Sequence, residues 1–109
     1  MCYSGESANG FIATLEAEVR PGKFRAFNIA SGELISLREM IAVLQALYPA
    51  WVCVAGPGLN YRRGHMGDYF LMETKKAREE LGFKPAFDFR RAVIDYAETL
   101  ARLGNGLPR

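Results

Sequence analysis

With 109 residues, half of them hydrophobic, the chain has the size of one domain and can bury a core of modest stability. Fourteen Lys and Arg stand against twelve Asp and Glu, for a net charge of +2, a balance too even to drive the protein onto nucleic acid or anionic lipid. Two distant cysteines and one histidine make no zinc set, so Cys2 and Cys53 read as reduced thiols of a cytoplasmic protein. No run approaches the roughly eighteen apolar residues of a membrane span, and no basic, apolar, small-residue order of an export signal opens the chain.

The start, "MCYSGESANG", leads into a helical pattern with no strand before it, and residues 1–6 read as a flexible arm or the scar of a longer chain. From Ser7, Phe11, Ile12, Leu15 and Val19 fall on helical spacing, and Pro21-Gly22 supplies two breakers. "KFRAFNIA", residues 23–30, reads as a short strand with Phe24, Ala26 and Asn28 on its inner face and Phe27 and Ile29 on the other. Ser31-Gly32 turns the chain. Ser36 and Glu39 have the spacing of a capping box, and Leu37, Met40, Ile41, Leu44 and Leu47 continue as an apolar stripe until Pro49. "WVCVA", residues 51–55, reads as a second strand, and "YFLME", residues 69–73, as a third.

Between those two strands runs "GPGLNYRRGHMGD", rich in glycine and in side chains that do chemistry. Thr74 is placed to cap a short helix that Gly82 stops in the left-handed conformation, with Pro85 beyond. Asp88 is placed to cap a last helix whose stripe is Phe89, Val93, Tyr96, Leu100 and Leu103. Residues 105–109 read as a flexible tail. The expected architecture is therefore a single α/β domain over residues 1–109, a small mixed sheet with flanking helices.

Three stretches resemble one known family. "FNIASGELISLREM", "YRRGHMGDYFLMETKKAREELGFKP" and "FDFRRAVIDYAETL" are similar to the C-terminal, substrate-binding part of the extended short-chain dehydrogenases/reductases, the NAD-dependent nucleotide-sugar epimerases and dehydratases. The similarity spans roughly Ser7 to Gly104, and its most specific part is Lys76, Ala77, Leu81, Gly82, Phe83 and Pro85 at fixed spacing. It implies a C-terminal lobe without its Rossmann domain. NAD is the cofactor of the parent family, but nothing in this sequence provides the glycine run that lets a backbone approach a pyrophosphate.

The parent enzymes also use a Tyr-x-x-x-Lys pair for proton exchange. Four residues after Tyr3, Tyr48, Tyr61, Tyr69 and Tyr96 stand Ser7, Val52, His65, Glu73 and Leu100, so the pair is missing. No residue is assigned a catalytic role, and the chain alone is expected to be inactive. Ser31-Gly32 then reads as a structural corner, with the Asn28 amide bonding local backbone and Ala30 where the family often has a glycine.

The binding candidates are Tyr61, Arg62, Arg63, His65 and Asp68. A guanidinium fork suits a diphosphate. The resemblance gives Asp68 the role of steadying a ribose and gives an arginine of the same loop the diphosphate. In this chain the arginine's place falls on His65. Either a longer loop brings Arg63 there, or His65 makes a weaker, pH-dependent grip; a solvated surface loop is the rival reading. Tyr61 and Tyr69 are aromatic enough to stack on a base, and Lys75, Lys76, Arg78, Glu79 and Glu80 form a solvated helix face.

The function expected is that of a nucleotide-sugar-binding domain from an NAD-dependent epimerase/dehydratase, an isomerase lineage, with no cofactor or metal of its own. Its partner is a nucleoside-diphosphate sugar, held weakly or only with the missing domain, and neither nucleic acid nor membrane. The alternative is a non-catalytic module that self-associates, as a homodimer, or binds another protein.

Overall fold

The computed structural model describes residues 2–18, 22, 25–57 and 71–104. The chain divides into two compact units, one made of Met1–Glu33 with Leu71–Arg109 and the other of Leu34–Phe70. Helices α1 (Ser4–Glu16), α3 (Lys75–Leu81) and α4 (Phe89–Arg102) belong to the first unit, and α2 (Leu37–Leu47) to the second. No strand occurs among the described residues. The α/β architecture with a small mixed sheet is therefore corrected to an all-helical one.

Residues 23, 24, 69 and 70 of the expected strands lie outside the described residues, and in the described parts, 25–30, 51–55 and 71–73, no strand forms, for a common reason. Aromatic and β-branched residues favour a pleated, half-buried surface, and that preference is met only where a second strand offers its N–H and C=O groups in register. Residues 25–30 and 71–74 are joined through side chains instead. The Asn28 amide donates to the Glu73 carbonyl at 3.1 Å, and the Lys76 ammonium donates to the Ala26 carbonyl at 3.1 Å while lying 4.5 Å from the centre of the Phe27 ring. Asn28 thus tethers distant backbone, not its own turn as expected. The faces are also exchanged: Phe27 and Ile29 are half-buried, and Ala26 and Asn28 are exposed. At 51–55 no ladder forms either, and Val54 stands 91 % exposed.

The helix signals fare better because they are local. Ser36 and Glu39 form the full capping box, with the Glu39 amide donating to Ser36 Oγ at 3.2 Å and the Ser36 amide to Glu39 Oε2 at 2.7 Å. Asp88 Oδ1 accepts from the Arg91 amide at 2.7 Å and starts α4. Gly82 sits at φ 66°, in the left-handed conformation that ends a helix, and the Phe83 amide reaches back to the Ala77 carbonyl at 3.3 Å and closes the end of α3. Ala77 and Phe83 are the buried hydrophobic residues among those described in the first unit. Thr74 is the N-cap residue of α3 by position, but its side chain makes no capping bond; the Glu73 carboxylate accepts from the Lys75 amide at 2.6 Å.

Helix α1 departs furthest from its sequence pattern. It begins at Ser4 and ends at Glu16, where Ala17 turns extended, short of Pro21-Gly22. Its buried residues are Glu6 and Gly10, while Phe11 and Leu15 are 73 % and 84 % exposed. The apolar stripe points to solvent, and the packed side runs through small and polar residues. Gly10 explains why: a Cβ there would lie 2.8 Å from Ile29 Cγ1, so only a glycine lets Ile29 come this close to the helix.

Candidate functional site

Two arrangements of the first unit bring chemistry-bearing side chains together. The first is a clasp between the N-terminal residues and the start of α4. Glu6 is fully buried, and its two carboxylate oxygens accept from the Ala86 amide at 3.1 and 3.0 Å and from the Phe87 amide at 2.8 Å. A buried carboxylate is tolerated because those N–H groups, left unpaired ahead of a helix, replace its water.

Beside it the Tyr3 hydroxyl donates to Asp95 Oδ2 at 2.6 Å, and the Tyr3 ring tilts against Phe87 with centroids 5.1 Å apart. The guanidinium of Arg91, on α4, lies 5.4 Å from the centre of the Phe87 ring. The hydrogen bond to Asp95, then burial and the carboxylate's charge, raise the Tyr3 hydroxyl above its ordinary value of 10.0. A phenol held protonated in this way is a structural donor, not a base. Both Glu6 oxygens, the Tyr3 hydroxyl and Asp95 Oδ2 are thus engaged in holding the clasp together.

The second arrangement is a cleft of about 360 Å³ beside the Ser31-Gly32 turn. Gly32, at φ 71°, makes the turn in a conformation that disfavours side chains. The cleft wall opposite is the segment entering α3, with Leu71, Met72 and Glu73, followed by Thr74 and, one helical turn on, Arg78. Phe83 and Pro85, which follow the left-handed stop at Gly82, complete it. Polar and apolar groups thus face one space. The sequence pointed to Ser31-Gly32 only as a corner and to Arg78 only as part of a solvated face; what brings them together is the folding of α3 against the 25–32 segment, which no spacing reveals.

Tyr61, Arg62, Arg63, His65 and Asp68 lie outside the described residues. Among the described residues no group of three or more His, Cys, Asp and Glu could hold a metal ion. Cys2 and Cys53 are free thiols, and Cys2 Sγ lies 3.5 Å from Ser7 Oγ. Lys75 pairs with Glu79 at 3.9 Å on an exposed face, as the charge spacing anticipates. No helix among the described residues is long and apolar enough to cross a membrane. No family model, curated protein or solved structure matches the chain.

Proposed function

We propose that the chain is the nucleotide-sugar-binding part of an NAD-dependent epimerase or dehydratase, inactive without a separate catalytic part. The observation that supports it most is the role of the residues behind the resemblance. Ala77 and Phe83 are the buried hydrophobic pair among the described residues of the first unit, and Gly82 between them takes the left-handed conformation. Those residues therefore act as one packing motif, and it directly follows the loop that contains Arg62, Arg63 and Asp68.

In this reading the two guanidiniums bind the diphosphate, with His65 as a possible substitute at one position, Asp68 steadies the ribose, and Tyr61 stacks on the base. The absence of Tyr-x-x-x-Lys and of a dinucleotide glycine run from the sequence limits this chain to binding and positioning. NAD would be held by the other part, and a cytoplasmic setting belongs to the same proposal. Isothermal titration with uridine and thymidine diphosphate sugars tests it. Weak binding, lost in the Arg62→Gln, Arg63→Gln double variant, is expected; no binding, or nanomolar affinity for the chain alone, refutes the shared-cleft picture.

A second reading is favoured by the outward stripe of α1. Phe11, Ile12 and Leu15 present a contiguous apolar face on one helix, as a self-associating or protein-interaction module would require. Sedimentation equilibrium separates the two: a stable dimer insensitive to nucleotide sugars supports the module, and a monomer at all concentrations removes self-association.

A further inference from the structure

We propose that the cleft beside Ser31-Gly32 is a binding site for a small carboxylic acid with an apolar body. The inference does not rest on the nucleotide-sugar reading, since none of the residues of the 56–68 loop enters it.

Three residues that carry donors, Ser31, Thr74 and Arg78, line the cleft, and none of the three donates a side-chain bond to a described residue. Arg78 makes no ion pair with a described residue. The Thr74 hydroxyl makes no capping bond. Ser31 Oγ accepts from the Glu33 amide at 3.4 Å, which leaves its own O–H to donate. Thr74 and Arg78 are four residues apart on one side of α3, the spacing that puts two side chains one above the other. A guanidinium with hydroxyls beside it matches the two oxygens of a carboxylate.

The remaining walls select what else the ligand contains. Leu71 and Met72 are largely exposed at the cleft although both are apolar, and Phe83 and Pro85 close the far side. Burying an aliphatic or aromatic body there removes that surface from water. The Glu73 carboxylate at the same wall works against a dianion, so a single negative charge is favoured over a phosphate ester. A volume of about 360 Å³ lies at the small end of the range that ligand sites occupy.

The test is an amide-resolved NMR titration of the full chain with hexanoate, and in parallel with hexanamide, its uncharged counterpart. Hexanoate is expected to give saturable shifts at Ser31, Gly32, Thr74 and Arg78. Affinity should fall about tenfold for hexanamide and about tenfold for hexanoate on Arg78→Gln, the effect of losing one charge-assisted contact. Arg78 is exposed, so the variant should keep the spectrum of the folded chain; were it to unfold, the comparison of the two ligands on the unaltered chain still decides. Absence of saturable shifts, equal binding of hexanamide, or unchanged binding to the folded variant would each overturn the proposal.

Discussion

Replacing Glu6 by glutamine changes one oxygen into an NH2 group and tests whether the clasp holds the first unit together. The carboxylate accepts from two backbone amides, Ala86 and Phe87, over distances of 2.8 to 3.1 Å. In the Gln variant one oxygen remains for two donors, and the new N–H2 faces amide hydrogens it cannot bond. A buried donor left without an acceptor costs about 1–3 kcal/mol. These amides are half-buried, and water entering after the change reduces that figure, so we expect a loss of about 1–2 kcal/mol for Glu6→Gln. For Glu6→Ala, which frees both donors and leaves a cavity, the loss should be about 2–4 kcal/mol. Urea unfolding followed by circular dichroism gives the total. Amide hydrogen exchange at Ala86 and Phe87 gives the local effect, and both sites should lose protection in step with the global change. A glutamine variant as stable as the parent, with protection at the two amides intact, would show that the carboxylate is not what holds α1 to the 85–88 segment.

Tyr3 keeps its proton more tightly in the folded state than in the unfolded one, so its contribution is whole below pH 10.0 and is lost as pH rises through the raised folded value. Tyr3→Phe should remove that part of the alkaline loss, and should destabilise the chain at neutral pH by about 1 kcal/mol, read by thermal unfolding at both pH values; an unchanged alkaline profile would refute the Asp95 link. Glu39 is held below its ordinary 4.5, first by the Ser36 side chain and then by the Ser36 amide, so its contribution is present above 4.5 and is lost as pH falls through the lowered value. Ser36→Ala should reduce protection of the Glu39 amide and shift the Glu39 titration back toward 4.5, followed by NMR. Gly10→Ala gains helix propensity but sets a Cβ within 2.8 to 3.0 Å of three Ile29 atoms, on a stiff β-branched side chain. A net loss of about 1 kcal/mol is expected, restored when Ile29 is also trimmed to alanine; a stabilised single variant would contradict the close approach.

The caps at Ser36 and Asp88 and the stop at Gly82 were legible in the sequence because each depends on a side chain and a backbone group within a few residues of it. Helices α2, α3 and α4 followed from those signals and from apolar spacing. The N-cap of α3 falls at Thr74 as its sequence position indicates, but the side-chain oxygen that bonds the helix start belongs to Glu73, a choice between neighbouring oxygens that residue types do not disclose. The loop with Tyr61, Arg62, Arg63, His65 and Asp68 was legible as chemistry alone, because residue types disclose donors and acceptors without disclosing what surrounds them.

What the sequence determined by itself was thus the set of helices and the absence of a catalytic pair, both of which are properties of neighbours along the chain. The tertiary structure alone decided that residues 25–30, 51–55 and 71–73 form no sheet, since pairing needs a second strand in register and side chains have taken over the links at 26–28. It also decided that α1 packs on Glu6 and Gly10 and turns Phe11 and Leu15 outward. Hydrophobic spacing tells which residues share a helix face. Which face is buried depends on where backbone donors and a close-packing partner lie across the fold, and for α1 those are Ala86, Phe87 and Ile29.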